Sequence, residues 1–496
     1  MKIFCYFLKT INILSLCDFL TNGFDVVIAQ GVHMISLFPI LLSLGLLMYL
    51  AYRGHSVILL APLLAMLAVL LSGEASTMLG VYTQVFMKGL GGYIISFFPL
   101  FLLGAIFGKL MDDSGSALSI SESLVAKLGK KQAVLSIVMA CAILTYGGVS
   151  LFVVGFAVYP IAAALFRELN IPKRLIPGAI ALGALTFTMT ALPGTPAIQN
   201  AIPMPFFKTD SFAAPGLGAI AGLIMLVGGM VWLNYRAKKA FNEGEGYGEH
   251  HNDKLVVTDR SAKPSLLVAL LPIILVILIN FICTKWLLPS MDNSYLASEA
   301  FGAVPLAKVL GIWAIVIALV VSCGSMILLN WKRWKNLKES LSEGALGSLL
   351  PIFNTASEVG YGSVIATLTG FIIVKEFLLG LSPGNPLISE AVFVNVMAGI
   401  TGSASGGLSI ALNTMGDNYL QLASQFGINP ELMHRVASIA SGGLDALPHN
   451  GAVITLLVIC QLTHKESYKD IFVVAVAVPV LALIAVITLG TLMGSF

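Results

Sequence analysis

The stretch SGGLDALPHNGAVITLL, residues 441–457, lies between two apolar flanks and holds Asp445, Pro448, His449 and Asn450 just after a pair of glycines. An idle membrane helix would carry aliphatic residues at these places. A charged side chain near the bilayer centre costs roughly 2.5–3.5 kcal/mol on insertion scales. The stretch therefore reads as a membrane helix broken for a purpose. Proline removes a backbone donor and clashes with the turn before it. The helix that restarts beyond the break presents free N–H groups and the positive end of its dipole, which suits an anion.

The whole chain supports a bilayer setting. Of its 496 residues, 57% are hydrophobic and 11% are charged, against about 25% charged in soluble domains. Several runs reach the ~20 apolar residues that cross a bilayer core. The net charge of +3 does not point to nucleic acid, because the basic residues sit in short loops between apolar runs. Cys5, Cys17, Cys141, Cys283, Cys323 and Cys460 stand singly. They read as small hydrophobes in helices rather than metal ligands. There is no HExxH, Walker A loop or GxGxxG before a soluble helix. Neither a metal, a cofactor nor ATP-driven transport by this chain alone is expected.

Hydropathy places membrane spans near 34–51, 55–73, 93–111, 172–199, 213–235, 265–288, 306–330, 347–372, 432–463 and 470–494. Residues 1–33 are only intermittently apolar and read as a leader or a mis-assigned start. The basic loop 236–264 is placed in the cytoplasm. Counting outward puts Arg53, Lys109, Lys127, Arg167, Lys173, Arg174, Lys332, Arg333, Lys465 and Lys469 on that same side. Lys208, Lys285, Lys308 and Arg435 depart from the pattern. Residues 132–166 are too long for one crossing and short for two, with Gly147 and Gly148 at their middle. They read as a re-entrant hairpin whose arms of about 15 residues reach roughly 22 Å. A second hairpin is expected at 386–420 around TGSASGGLSIALNTMG.

GGVSL at 147–151 matches GGLSI at 406–410, and LPGTPAI at 192–198 matches LPHNGAV at 447–453, in the same order. The fold expected is therefore an all-α polytopic membrane protein. It has two inverted repeats of about five transmembrane helices, at 34–235 and 265–496, each with a re-entrant hairpin and a broken helix. Four breaks, at 147–150, 193–195, 403–409 and 445–450, would converge near the midplane. The binding candidates are Gly147, Gly148, Ser150, Thr195, Ser405, Gly406, Gly407, Ser409 and Asn450, which offer backbone N–H groups, hydroxyls and amides. Asp445, His449 and Glu358 are intramembrane titratable groups and the candidates for ion coupling. Asp112 and Asp113 are expected to cap the helix that follows them. The cluster NWKRWKNLKESLSEG, from residue 330, suits an interfacial helix.

Three rival readings use the same residues. A cation/proton antiporter would bind ions at Asp445 and Glu358 and no acid. A passive channel would tolerate the broken helices but not the inverted repeat. An intramembrane hydrolase would need a buried serine with His449 and Asp445, but Pro448 separates those two and no nucleophile motif accompanies them.

In order along the chain, GAIFGKLMDDSGSA, NTASEVGYGSVI, ITGSASGGLSIALNTMG and SGGLDALPHNGAVITLL resemble the gluconate permease (GntP) family of the ion transporter superfamily. The resemblance covers about 34–496. It implies secondary transport of a small organic acid anion, such as gluconate or 3-hydroxybutyrate, across the bacterial inner membrane, generally with protons and otherwise with sodium. It also implies a mobile domain moving as an elevator, often in a homodimer. The chain departs from the gluconate-type members at the first broken helix. TMTALPGTPAIQNAIP keeps Pro193 and Pro196 but lacks the histidine of their PPTPGP-like run. A smaller acid such as 3-hydroxybutyrate then fits at least as well as a sugar acid.

Overall fold

Where an apolar run holds no turn residue it forms one long helix, and where it holds a Gly/Pro cluster the helix stops and restarts. A computed structural model describes residues 34–129, 132–248 and 263–496. Residues 1–33, read from the sequence as a leader or a mis-assigned start, with Cys5 and Cys17, and the centre of the 236–264 segment lie outside the described residues. Among the described residues all regular structure is helical. Among the described residues six helices are long and apolar enough to cross a bilayer: Ala75–Asp113, Leu151–Glu168, Pro215–Asn242, Leu266–Ser290, Leu306–Leu329 and His464–Met493. A seventh is the pair Leu337–Thr367 and Phe371–Gly380, bent by 92° at its break. Leu59, Leu63, Ile95, Leu223 and Leu267 stand exposed, as side chains facing acyl chains do. Cys141, Cys283, Cys323 and Cys460 are buried and unpaired.

Several boundaries differ from those expected. The span placed at 93–111 begins at Ala75, because a π-helical turn at Val81–Phe86 carries the helix on without a break. Its 39 residues measure roughly 58 Å, more than a ~30 Å hydrocarbon core. The second arm of the first hairpin, Leu151–Glu168, has 18 residues and continues through Pro160. Asp112 and Asp113 do not cap the next helix. Gly115 holds the N-cap position at φ +73°, and Asp113 pairs with Lys109 at 3.0 Å. The basic cluster after Leu329 leads into Leu337–Gly347, whose Asn336 cap accepts from Glu339 N. That helix packs along Ala75–Asp113 and ties to it through Lys109 and Glu343 at 2.9 Å.

The second hairpin is tighter than expected. Pro386–Thr401 and Ala404–Gln425 are joined by Gly402 and Ser403 alone. The Ser403 hydroxyl accepts from Gly406 N at 3.0 Å and starts the helix at once. Residues 404–409, expected in the tip, are therefore its first helical turns. A Cβ at Gly407 would overlap the Ala398 backbone, so glycine lets the two arms touch there.

The two broken helices are where the buried hydrogen bonding concentrates. The first runs Ile176–Ala184 and Phe187–Thr190, then breaks at 191–197 and resumes at Ile198–Ala201 and Pro203–Phe207. Irregular backbone survives at bilayer depth only when protein satisfies it. Here Tyr146 donates to Pro193 O at 2.6 Å, Asn280 to Gly194 O at 3.2 Å and Asn200 to Thr195 O at 3.0 Å. The second break, 442–450, follows Pro430–Ser441 and ends at Gly451–Ile459. Tyr468 donates to Ala446 O at 3.2 Å, and the His464 ring lies 2.9 Å from Pro448 O. Arg435, which departs from the charge pattern, is not in a loop. It is fully buried and donates to Ala213 O at 2.6 Å, Asn200 Oδ1 at 3.1 Å and Thr190 O at 3.5 Å. One guanidinium thus ties the helix before the second break to both sides of the first.

At one end of the molecule Asp470 is buried and takes Arg236 at 2.9 Å, Trp232 at 3.0 Å and Arg174 at 3.1 Å. Arg174 also holds Glu245 at 2.6 Å. Residues that the charge pattern puts on one side therefore do meet.

Arg435→Met leaves Ala213 O without its donor, at about 1–3 kcal/mol, and takes one partner each from Thr190 O and Asn200 Oδ1, which keep Ser438 and His434. Its melting temperature in detergent should fall by several degrees or more; an unchanged value would mean that relief of guanidinium desolvation cancels those bonds. Hydrogen bonds from Arg174 hold the Glu245 carboxyl below the usual glutamate range. Its stabilising effect is thus present above the unfolded value near ~4.3 and lost as pH falls through the lowered one. Melting curves of Glu245→Gln should accordingly lose part of the acid sensitivity seen in the parent below about pH 5.

Candidate functional site

A cavity of about 260 Å³ lies where the first hairpin, the first broken helix and the second hairpin meet. The turn 147–150 supplies one wall. Tyr146 closes the helix Ala133–Tyr146, Gly148 takes φ +96°, and Ser150 stands in the extended N-cap position of Leu151–Glu168. Only glycine enters that left-handed region without strain, and a Cβ at 148 would press on the Pro196 ring. The segment from Pro196 to Gln199 forms the second wall, and Ser405 closes the third side. The rest is largely apolar, with Leu100, Phe101, Met189 and Leu319.

The polar groups on the lining are few: Thr145, Ser150, Gln199, Ser348 and Ser405. Thr145 Oγ1 and Gln199 Oε1 are buried without a hydrogen-bond partner. Ser405 Oγ lies 3.3 Å from Thr355 Oγ1. Among the described residues no charged side chain lines the cavity. A bound carboxylate would therefore depend on hydroxyls, amides and helix N-termini for its counter-charge.

Of the residues singled out from the sequence, Gly148, Ser150 and Ser405 lie on this cavity. Thr195 sits beside it, fully buried, its hydroxyl accepting from Ala197 N at 3.3 Å. Gly147 packs on Ile273 and Gly407 on Ala398. Asn450 caps Gly451–Ile459 through Val453 N at 2.9 Å and donates to Gly402 O at 2.9 Å. The second break is thereby fastened to the tip of the second hairpin. His449 is half-buried against Gly402, with Nε2 unpartnered, and Asp445 is buried with Oδ1 unpartnered. Neither lines the cavity.

Glu358 lies behind Ser405 rather than beside it on the lining. Its side chain rises from Leu349–Thr367, is 3% exposed, and leaves Oε2 unpartnered. A Cβ at Gly406 would overlap that oxygen. Ser409 Oγ and Tyr93 Oη, both buried, are unpartnered in the same region.

Thr145, Gln199, Tyr93 and Glu390 escaped the sequence reading, and Arg435 was noted only as a departure from the charge pattern. Gln199 carries a legible signal, an amide three residues after Pro196 in the broken run. Glu390, fully buried with both carboxyl oxygens unpartnered, could have been flagged as Glu358 was, as an acid in an apolar arm. Thr145 and Tyr93 give no such signal, since either residue is ordinary in a membrane helix.

The chain matches the family model described as GntP family permease over residues 35–489. It is 48% identical to "Uncharacterized transporter YxjC" of Bacillus subtilis (strain 168), covering 92% of this chain and 98% of that protein. A "Gluconate permease" of the same organism is 39% identical over a shorter region, 22% of this chain and 24% of that protein. The "High-affinity gluconate transporter" of Escherichia coli (strain K12) is 27% identical over 34% of this chain and 38% of its own length. Among solved structures, the YdaH transporter of Alcanivorax borkumensis, described as having an unusual topology, superposes with a TM-score of 0.53. That match covers 82% of this chain and 88% of the other at 14% identity, so the likeness is one of fold. A family match across nearly the whole chain and a close full-length relative agree with the helical, multi-pass architecture: the protein is a multi-pass membrane protein of the GntP permease family.

Proposed function

We propose that the protein is a secondary active transporter of a small organic carboxylate in the bacterial inner membrane, driven by protons, with 3-hydroxybutyrate preferred over gluconate. The observation that supports this most is the cavity where both hairpins and the first broken helix meet. Its volume of about 260 Å³ falls just below the ~300 Å³ at which ordinary ligand pockets begin. Five hydroxyls of a sugar acid would need more partners than Thr145, Ser150, Gln199, Ser348 and Ser405 can offer beside a carboxylate. A buried hydroxyl without a partner costs about 1–3 kcal/mol. A short acid with one hydroxyl and a methyl group fits an apolar lining better. The relatives named for gluconate match only 22% and 34% of this chain, so their substrate need not be shared.

In this reading Ser150, Gln199 and Ser405 bind the acid, while Asp445, His449 and Glu358 are the groups available for ion coupling. The elevator movement is what the family resemblance implies.

Uptake of radiolabelled 3-hydroxybutyrate into proteoliposomes should exceed that of gluconate and should require an inward proton gradient. Uptake of gluconate alone would reverse the preference, and gradient-independent flux of either acid would sink the coupling. Gln199→Leu removes one hydrogen bond of about 0.5–1.5 kcal/mol, so its KM for uptake should rise roughly two- to tenfold with the protein still folded. An unchanged KM would take Gln199 out of the site.

A further inference from the structure

We propose that Glu358 and the carboxylate of the transported acid compete for a single helix N-terminus, that of Ala404–Gln425, so that the anion is admitted only after Glu358 has taken up a proton. The inference rests on the carboxylate-transport reading above and gives that transport a coupling device.

The geometry is that of one positive helix end with the Glu358 carboxyl on one side and the cavity on the other. Ser403 caps the helix, and its hydroxyl faces the Glu358 carboxyl. Gly406, in the first turn, has no side chain, and the space its Cβ would fill is taken by Glu358 Oε2. Ser405, one residue earlier, turns to the cavity and reaches Thr355, which lies one helical turn before Glu358 on the same helix. A negative charge at an N-terminus is stabilised by the dipole, and a second one beside it is repelled. The N-terminus of Leu151–Glu168 also borders the cavity, at Ser150 on another wall, but among the described residues no charged side chain on the lining compensates two carboxylates at the Ala404–Gln425 end.

The surroundings favour a proton over a metal ion. Leu349–Thr367 packs against Val57–Leu71, Ala75–Asp113 and Ala404–Gln425, and also touches its chain neighbours Leu337–Gly347, with Lys338, Glu339 and Glu343, and Phe371–Gly380, with Lys375 and Glu376. The first of these has no titratable residue. The second presents Tyr93, whose hydroxyl lies among Ser409, Thr355 and Glu358 without closing a hydrogen bond of normal geometry. The third presents the hydroxyls of Ser405 and Ser409. Among the described residues no cationic side chain acts on Glu358, and the positive helix end disfavours a bound cation. A proton needs no such coordination: it converts the carboxylate to a neutral acid, whose O–H can then be donated to the unpartnered Tyr93 or Ser409 oxygens. In the cycle a solvent proton joins Glu358, the anion takes the helix end, both cross, the anion leaves, Glu358 gives its proton to the solvent on the far side, and the carboxylate so formed refills the helix end.

Binding of 3-hydroxybutyrate, with gluconate as second probe, would be measured across the pH range in which these acids stay ionised, on purified protein in nanodiscs. One proton taken up per anion makes Kd weaken about tenfold per pH unit above the titration of Glu358. In Glu358→Gln, a mimic of the protonated state, Kd should be independent of pH. Substrate-induced proton uptake should vanish, and exchange should survive while gradient-driven accumulation is lost. Gly406→Ala, whose methyl group displaces the carboxylate, should flatten the pH profile as well and serves if the glutamine variant does not fold. A parent Kd without pH dependence, or a variant that keeps the parent's slope, overturns the proposal and leaves the transport reading standing. Binding of neither acid at any pH sinks both.

Discussion

Backbone that leaves helical geometry inside a bilayer finds no water to bond, and each unsatisfied group costs several kcal/mol. This constraint organises the structure around its two broken helices. The break at 191–197 is held by Tyr146, Asn200, Asn280 and the buried Arg435. The break at 442–450 is held by Tyr468 and His464 from the C-terminal helix and, through Asn450, by the tip of the second hairpin. These donors come from distant parts of the chain. The breaks are therefore sites where the fold is pinned together, and the polar residues that look functional in a linear reading are partly spent on that task.

The cavity follows from the same arrangement. Because the first break is satisfied from behind, its front face at Pro196 and Ala197 is free to line a space with a few hydroxyls and amides. Glycine matters at two of its margins for different reasons. Gly148 supplies a left-handed turn that lets Ser150 open the next helix at the cavity wall. Gly406 supplies an absence, which Glu358 fills. A site without lysine or arginine must take its positive charge from helix dipoles, which are weaker and more easily shared. That suits a carrier, which has to release what it binds.

The class of the protein, its helical character and its broken helices were legible in the sequence because each has a local cause. Apolar length, Gly/Pro clusters and acids in apolar runs act within a few residues of where they are written. Most span boundaries followed, and errors came where local signals were silent. The long helix from Ala75 runs through Thr77, Gln84 and Lys88, which look like loop but are tolerated because a helix of that length can project beyond the hydrocarbon. Asp112 and Asp113 looked like caps, but Gly115 took the position and Lys109 took Asp113.

The sequence by itself determined that this chain has the character of a membrane protein and that its helices are interrupted near 147–150, 191–197, 402–403 and 442–450, though not the bend after Thr367 nor that Ser405 and Ser409 are helical. What only the tertiary structure decided is how the polar residues are grouped. Gly148, Ser150 and Ser405 share a cavity with Thr145 and Gln199. Asn450 and His449 gather instead at Gly402. Arg435 is a buried clamp rather than a surface charge. The physical reason is that a helix break is a local event, set by proline, glycine and the lost backbone bond. The choice of which distant side chain satisfies it depends on how helices cross, and that is settled by contacts between residues far apart in the chain.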